Sequence, residues 1–493
     1  MKYYLQDKYR EPKNYTYRIG KFSGLDASRE EEQLSLGYAT YGYNVRFSAG
    51  TVKESYGVGY ARFGERYLPS ALPTGEGIKR LFIYKKFDRT TGVRDDRLLF
   101  YSDNGKLYAT SLASGSAFTE LGVTLGTDEL TFLNCEYDNQ DVLWISDDSG
   151  HLLLYNGTTV QTVSDTPYFS DACVYNGRVF ATSGSVDNVL RFSAKNNPTQ
   201  WSEQQGAGKI SFPDEGGKIV RAVVCKDALV VFREHAVYRY VGYPDSTAYT
   251  LTKIFSTEKP IYGKSVCVCG DKIVFLAGNG FFRCEGGTIT RILKNVSPLI
   301  EDAEKCSGCF FDNKFFFTFR MKREDEDAVG EEESIVENNA FLACDEYGED
   351  LSLTRGTDVA EFIPAEVEGE SRLLCRFSYG YHVYDVGMVT ETGRVFSVAL
   401  KKLWRSPKTT VSLLGKKKYL RKIYIRSSGQ ARLYVDCDEN VVCDLPQSSK
   451  THCVYVGKNA DAVGLTLTST ADHFTLYGME IEFEVRGRSV YEN

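Results

Sequence analysis

Short hydrophobic runs, each broken by a two-residue turn, recur along the middle of the chain. Four segments show the pattern: ACVYNGRVFAT from Ala172, AVVCKDALVVF from Ala222, VCVCGDKIVFL from Val266 and GCFFDNKFFFTF from Gly308. The first residues of their turn pairs are 50, 44 and 42 residues apart: Asn176, Lys226, Gly270 and Asp312. Asn-Gly, and to a lesser degree Gly-Asp, supplies the positive φ that tight hairpin turns require. Each segment therefore predicts a β-hairpin within a longer repeat.

Further β-rich runs extend these hairpins, and more copies of the pattern occur at 98–110, 142–157 and 373–387. One small antiparallel sheet cannot cover both its faces, but neighbouring sheets at this repeat length can. The chain is therefore predicted to be all-β, with a β-propeller of about six or seven blades. One or two long β-sandwiches also fit short strands with frequent turns. The repeated turn position favours the propeller.

Two breaks in the pattern divide the chain into three predicted parts. Residues 1–40 form an N-terminal arm with one short helix, where Ser28 and Glu31 make a capping box and Gly37 ends the helix. Residues 41–399 form the propeller, with an acidic loop inserted at 321–339 because its like charges cannot lie in a sheet. The alternating runs that follow predict a small C-terminal β-sandwich over 400–493.

Composition narrows the classes of protein that fit. The 493 residues are 42 % hydrophobic, which excludes disorder as the main state, and the net charge of −7 argues against a generally basic nucleic-acid binder. The 13 cysteines, an odd number in a long chain, predict reduced thiols packed as small apolar residues. No stretch reaches 18 apolar residues and the N-terminus has no apolar core, so neither a membrane span nor a signal peptide is predicted.

Candidate chemistry is sparse. None of the five histidines falls in a metal-ligand motif, and the acidic loop lacks the ligand spacing of a Ca²⁺ loop. A zinc site is not favoured because only one short-spaced pair, Cys306 and Cys309, accompanies Cys267, Cys269 and Cys284. No catalytic, cofactor-binding or metal residue is assigned, and the chain is predicted not to be an enzyme.

The segment SDDSGHLL from Ser146 resembles the Asp box, Ser-x-Asp-x-Gly, of sialidase propellers. In that family the box is a structural turn rather than the catalytic site. Here Leu153 replaces the aromatic residue that usually ends the box, and only one copy fits. The resemblance therefore supports a propeller and gives almost no support for hydrolysis.

Three longer stretches resemble a second family. They are GLDASREEEQLSLGYATYGYNVRFSAGTVKESYGVG from Gly24, NGRVFATSGSVDNVLRFSAKNNPTQWSE from Asn176 and ALVVFREHAVYRYVG from Ala228. Together they are similar to the β-propeller virion proteins of tailed bacteriophages, a group of tail-hub, nozzle and tail-stabilisation proteins. The likeness runs over about residues 24–305.

This resemblance implies a structural part of the virion tail that is made in the host cytoplasm. Its partners are then copies of itself in a ring, other tail or portal-proximal proteins, and genomic DNA that passes without sequence-specific binding. The negative net charge is compatible with a channel wall that repels phosphate. The alternative is a carbohydrate-binding or glycoside-cleaving propeller used for cell attachment, which exposed aromatic residues and paired carboxylates on one propeller face would favour.

Contact residues follow from the arm, the acidic loop and a basic cluster. The residues predicted to contact neighbouring subunits are Tyr3, Tyr4, Tyr9, Glu331, Glu332, Glu333, Lys416, Lys417 and Lys418. For the lysines, a solvated strand edge that discourages aggregation is the favoured alternative to a subunit contact. Trp201 and Trp404 are predicted to be core or domain-junction anchors.

Overall fold

The computed structural model describes most of the chain in a series of segments. They are residues 13–55, 73–112, 116–126, 130–147, 152–164, 166–167, 169–183, 186–212, 214–243, 249–323, 338–348, 351–356, 359–367, 369–377, 383–385, 394–395, 398–448 and 450–486. The chain divides into two units. Unit 1 comprises Met1–Gly57, Asp350–Arg355 and Thr390–Asn493, and unit 2 comprises Val58–Glu349 and Gly356–Val389.

Six strands precede unit 2 and belong to unit 1. They are β1 (Lys13–Ile19), β2 (Gly24–Leu25), β3 (Tyr38–Ala39), β4 (Tyr41–Tyr43), β5 (Val45–Ser48) and β6 (Thr51–Glu54). The helix predicted near Ser28 is only a 3-10 turn at Glu31–Gln33. The predicted capping box is wrong, because the Ser28 hydroxyl donates to Asp26 instead.

Unit 2 begins with three four-stranded antiparallel sheets, here called blades 1 to 3. Blade 1 has β7 (Ile78–Tyr84), β10 (Arg97–Ser102), β11 (Lys106–Ser111) and β12 (Thr119–Thr124), with a side hairpin of β8 (Phe87–Asp88) and β9 (Val93–Arg94). Blade 2 has β13 (Leu130–Tyr137), β14 (Gln140–Asp147), β15 (Leu152–Tyr155) and β16 (Val160–Val163). Blade 3 has β17 (Asp171–Tyr175), β18 (Arg178–Ser183), β19 (Val186–Phe192) and β20 (Gly208–Ser211), with a 3-10 turn at Glu203–Gln205.

Four more sheets follow as blades 4 to 7. Blade 4 has β21 (Ile219–Cys225), β22 (Ala228–Arg233), β23 (Ala236–Val241) and β24 (Thr250–Ser256). Blade 5 has a 3-10 turn at Gly263–Ser265, then β25 (Cys267–Cys269), β26 (Lys272–Ala277), β27 (Gly280–Glu285) and β28 (Thr288–Ile292). Blade 6 has a 3-10 turn at Ser297–Leu299, then β29 (Ile300–Asp302), β30 (Gly308–Phe311), β31 (Lys314–Met321) and β32 (Ala340–Asp345). After β33 (Ser352–Arg355) in unit 1, blade 7 has β34 (Val359–Val367), β35 (Glu370–Phe377) and β36 (Val383–Asp385).

Contacts between blades close these sheets into a ring. The inner strand of each blade contacts that of the next, in the order β7, β13, β17, β21, β25, β30 and β34, and β34 contacts β7 again. Apolar side chains fill the space between neighbouring blades, as in the cluster of Ile78, Leu98 and Phe100 from blade 1 with Ile363 and Leu374 from blade 7. Over the described residues, unit 2 is therefore a seven-bladed β-propeller, within the predicted range.

The hairpin turns have the backbone conformation that their sequences predict. Asn176 and Gly177 have φ values of 49° and 72°, and Asp312 and Asn313 have values of 46° and 59°. Lys226 also has a positive φ of 54°, although it has no glycine partner. These turns join the first two strands of blades 3, 4 and 6, so the repeated turn position marks the inner hairpin in these blades.

Unit 1 is completed by the last strands of the chain. They are β37 (Arg394–Val395), β38 (Val398–Ala399), β39 (Lys402–Arg405), β40 (Lys417–Ser428), β41 (Ala431–Asp436), β42 (Val441–Leu445), β43 (Thr451–Ala460), β44 (Gly464–Ser469) and β45 (Thr475–Arg486). One sheet of this unit has the order β33-β5-β6-β45-β40-β43, with β1 also on β45, and the other has the order β4-β39-β44-β41-β42. Buried and more exposed positions alternate along β41, as expected for a sheet with one face in a core.

The observed units do not follow the predicted boundaries at residues 40 and 399. Residues 41–57 belong to unit 1, because β4 pairs with β39 and β6 pairs with β45. Residues 350–355 also belong to unit 1, where β33 pairs with β5. Residues 13–19 are not a free arm, since β1 pairs with β45 along its whole length. The first and last described strands of the chain are thus hydrogen-bonded together in one unit.

Candidate functional site

A buried carboxylate on an inner strand joins blades 3 and 4. Asp171 Oδ1 lies 2.6 Å from Arg221 Nη1, and the backbone N–H of Ala222 donates to Asp171 Oδ2 at 2.9 Å. The Asp171 side chain is 8 % exposed, whereas that of Arg221 is 41 % exposed. The buried carboxylate of Asp171 is therefore paired with one guanidinium group that is partly hydrated.

A second buried carboxylate lies where blade 7 meets blade 1. Glu361 Oε1 is 3.2 Å from Arg80 Nε of blade 1, and Oε2 is 3.4 Å from Arg376 Nε on the neighbouring strand β35. Arg80 also donates to the backbone O of Leu130 in blade 2 at 3.3 Å. The Glu361 side chain is 17 % exposed. These contacts fasten the seam that closes the ring.

The two carboxylates have pKa values shifted in opposite directions. Burial raises the pKa of Asp171, and the charge of Arg221 opposes the shift without reversing it. Burial acts on Glu361 as well, but the charges of Arg80, Arg376 and Lys264 outweigh it and hold the Glu361 pKa below its ordinary value. These six groups comprise four cations and two carboxylates.

A concave site lies where blades 3 and 4 turn. Its volume is about 370 Å³, and it is lined by Val174, Tyr175, Asn176, Val224, Lys226, Asp227, Val241, Gly242 and Tyr243. The turns fix its walls, because Tyr175 Oη donates to the Asp227 carbonyl at 2.8 Å and Asn176 Nδ2 donates to the Gly242 carbonyl at 3.1 Å. The volume falls in the range of small-molecule sites.

Aromatic surface is exposed at this site. Tyr243 is 56 % exposed and lines the cavity. Tyr249 is 49 % exposed, and its ring lies 5.5 Å from that of Tyr240, which in turn contacts Tyr175. We call the residues that line the cavity, together with Tyr249, the blade 3/4 site.

Over the described residues, each of the two main sheets of unit 1 ends on a strand with an unpaired edge. Among the described residues β43 pairs only with β40, and β42 pairs only with β41. Exposed apolar side chains stand on these strands, with Val442 55 % exposed and Tyr455 73 % exposed, and the thiol-bearing Cys453 is exposed as well. We call β42 and β43 together the edge surface.

The residues predicted to contact neighbouring subunits differ in burial, and some of them lie outside the described segments. Lys418 is fully buried, and its Nζ donates to the carbonyls of Leu413, Lys416 and Asp461, so its prediction as a surface contact is wrong. Burial lowers the pKa of Lys418. Lys416 is exposed, and Lys417 Nζ lies 3.2 Å from Asp438. The other predicted contacts lie outside the described residues: Tyr3, Tyr4, Tyr9, Glu331, Glu332 and Glu333.

The Asn-Val-Arg stretch of the phage-like resemblance begins with a structural asparagine. Asn44 is 2 % exposed and has a positive φ of 57°. Its side-chain amide donates to the carbonyls of Arg355 and Lys401 at 3.0 and 2.7 Å, and its Oδ1 accepts from the Arg355 N–H at 2.8 Å. Asn44 therefore links three separate chain segments within unit 1.

The Asn-Pro-Thr-x-Trp stretch is also structural. The Pro198 carbonyl accepts hydrogen bonds from the indole N–H groups of Trp144 at 3.3 Å and Trp201 at 3.1 Å. Trp201 packs against Phe169 with a ring separation of 4.4 Å. Trp404 is fully buried in unit 1. Both tryptophans predicted as anchors thus lie in packed surroundings.

The cysteines are free thiols, and several share one position in the blades. Cys135, Cys173, Cys267 and Cys309 each stand three residues before the first turn residue of an inner hairpin. Burial raises the pKa of Cys135 and Cys309 to about 12, which keeps them protonated. Within the described segments, no three His, Cys, Asp or Glu side chains are grouped to hold a metal ion.

Part of the Asp box can be located. Ser146 and Asp147 are buried at the end of β14, while residues 148–151 lie outside the described segments. The paired charges between blades were missed from the sequence. Their signal is a charged residue inside an apolar inner strand, as in IVRAVVC for Arg221 and VAEFIPAEV for Glu361.

Comparison with known proteins gives likeness of fold only. No protein-family model and no curated protein matches the chain. Among solved structures, BBS1N in complex with ARL6DN is similar at 10 % identity and a TM-score of 0.44, over 69 % of this chain and 98 % of that one. The WD40 β-propeller domain of Doa1 is similar at 8 % identity and a TM-score of 0.42, over 67 % of this chain and 96 % of that one. YCF48 bound to D1 peptide is similar at 9 % identity and a TM-score of 0.38, over 66 % of this chain and 96 % of that one. These low scores carry no argument about function.

None of the helices in the described part of the chain has the length and apolar character needed to cross a membrane.

Proposed function

We propose that the chain is a structural protein of a tailed-bacteriophage virion. In this proposal it forms an oligomeric ring in the tail, as a hub, nozzle or portal-proximal adaptor, and genomic DNA passes along the ring axis. The resemblance over about residues 24–305 supports the class of protein.

The observation that carries assembly is the edge surface of unit 1. A long unpaired strand edge is a template for pairing with another chain, and monomeric proteins protect such edges. The ten-residue β43 has one charged pair, Lys458 with Glu439, near its end, but Tyr455 at its middle is highly exposed. We infer that the edge surface binds a neighbouring subunit in the ring.

Mass photometry and negative-stain imaging of the purified chain test the proposal, with and without virion partners. Rings of fixed rotational symmetry are expected, and a combined Tyr455→Lys and Val442→Lys variant is expected to remain at the 55.4 kDa monomer mass. Tyr347→Lys is the matched control, since Tyr347 is 66 % exposed in unit 2. A wild-type chain that stays monomeric with every virion partner would overturn the ring. Rings that persist in the double variant would overturn only the role of the edge surface.

Saccharide binding is the second candidate function. The exposed tyrosines at the blade 3/4 site are the specific observation that favours it.

A further inference from the structure

We infer that the blade 3/4 site binds a neutral saccharide, which assigns the second candidate function to one site and one class of ligand and does not depend on the proposed ring. The first argument is shape. The cavity of about 370 Å³ is open enough to admit a sugar ring, and hydrogen bonds hold two of its lining side chains, Tyr175 and Asn176, in place. A site that is already ordered loses little conformational entropy on binding.

The second argument is the character of the walls. Tyr243 and Val174 present apolar surface at 56 % and 40 % exposure, and Tyr243 offers a rigid ring. Pyranose rings have a face of C–H groups that packs against such surfaces, while their hydroxyls require polar partners at the rim. The Asp227 carboxylate is 77 % exposed and can accept hydrogen bonds from hydroxyls.

The third argument is charge. Lys226 Nζ lies 2.9 Å from Asp271, and Arg239 Nη2 lies 3.7 Å from Asp227, so two cations are balanced by two carboxylates. A phosphate or sulfate would gain no excess positive charge here. The carbonyls of Asp227 and Gly242 already accept hydrogen bonds, so side chains rather than a bare strand edge face the ligand. These features together favour an uncharged polyhydroxylated ligand.

A glycan array probed with the full-length chain tests the inference, using neutral oligosaccharides of hexoses, deoxyhexoses and N-acetylhexosamines beside sialylated and sulfated ones. Binding to at least one neutral glycan is expected, followed by isothermal titration with that glycan. Tyr243→Ala is expected to weaken affinity about tenfold, the loss of one aromatic contact. Asp227→Asn is expected to weaken it by a smaller factor.

Tyr347→Ala is the matched control, because Tyr347 is also more than half exposed but lies beside Lys272 in another part of unit 2. Its affinity is expected to equal that of the wild type. Thermal unfolding of each variant checks that the fold is kept. Binding to no neutral glycan, binding only to anionic glycans, or equal losses in Tyr243→Ala and Tyr347→Ala would each overturn the inference. Ring formation is measured separately, so failure here leaves the proposed ring standing.

Discussion

Asp171 and Glu361 occupy comparable places in the propeller but have opposite electrostatic behaviour. Each is a buried carboxylate on an inner strand, and each is paired with an arginine of a neighbouring blade. Asp171 has one guanidinium that is 41 % exposed, and burial raises its pKa. Glu361 has two guanidinium groups that are 21 % and 15 % exposed, and its pKa is lowered. The number and burial of the cations decide the sign.

The difference has a structural counterpart. Blades 3 and 4 are joined by a continuous chain and share an apolar cluster that includes Phe180, Phe212 and Leu229. Blades 7 and 1 are distant in sequence, and no strand of one blade completes the sheet of the other among the described residues. The closing seam therefore relies on the apolar cluster around Phe100 and on the charges at Glu361. Removing the charge of Glu361 should therefore lower the free energy of unfolding more than removing the charge of Asp171.

Glu361→Gln is expected to give the largest loss. The substitution leaves Arg80 and Arg376 without their shared counter-charge in a largely buried seam. The free energy of unfolding at pH 7 is expected to fall by about 2–3 kcal/mol, toward the lower end for removing one partner of a buried pair because the arginines keep some hydration. Denaturant titration followed by tryptophan fluorescence measures the loss of stability.

Glu366→Gln is the matched control at the same seam. Glu366 pairs with Arg94 of blade 1, but both side chains are more than 40 % exposed. Its effect is expected to stay within about 0.5 kcal/mol, as for other surface pairs. Equal losses in the two variants would show that burial does not distinguish them and would contradict the account of the seam.

Lys418→Met extends the comparison to a buried charge whose hydrogen bonds go to backbone carbonyls rather than to a carboxylate. Lys418 Nζ donates to three carbonyls in unit 1, and its removal takes this donor from all three, although the Leu413 carbonyl still accepts from the Lys416 N–H at 3.3 Å. The free energy of unfolding is expected to fall by about 1–2 kcal/mol. The loss is not larger because the variant no longer has to bury a charge, which offsets part of the lost hydrogen bonding. Lys417→Met is the control, since Lys417 and Asp438 form an exposed pair. A control that costs as much as Lys418→Met would reject the structural role of Lys418.

Lys418 also shows which features could not be predicted from the sequence. The turn pairs, such as Asn176-Gly177, are local signals, and they correctly predicted hairpins and a propeller. The unit boundaries depend on pairs such as Leu403 with Tyr43, which are far apart in sequence and carry no local mark. A run of three lysines looks like surface, because nothing local shows that the third one meets three carbonyls. The blade 3/4 site likewise needs two blades side by side before its tyrosines converge.

Asp171→Asn is expected to cost less than either change above, about 1 kcal/mol or less. An asparagine keeps an oxygen for the Ala222 N–H, and the partly exposed Arg221 can be hydrated when its partner loses charge. Thermal unfolding monitored by circular dichroism at pH 7 measures the change. A loss as large as that of Glu361→Gln would break the contrast between the two carboxylates.

The smallest effect expected is a difference in pH dependence, and it tests the contrast most directly. The folded pKa of Glu361 lies below its unfolded value of 4.5, so its contribution to stability is present above that pH and is lost as pH falls through the folded pKa. The folded pKa of Asp171 lies above its unfolded value of 3.8, so its contribution is full below that pH and is lost as pH rises through the folded pKa. Stability measured by denaturant from pH 7 to about pH 3 should therefore show two trends relative to the wild type. The deficit of Glu361→Gln shrinks as the pH falls, whereas that of Asp171→Asn grows. Parallel trends would mean that both carboxylates respond to burial in the same way, and that the second guanidinium at the closing seam does not set the sign.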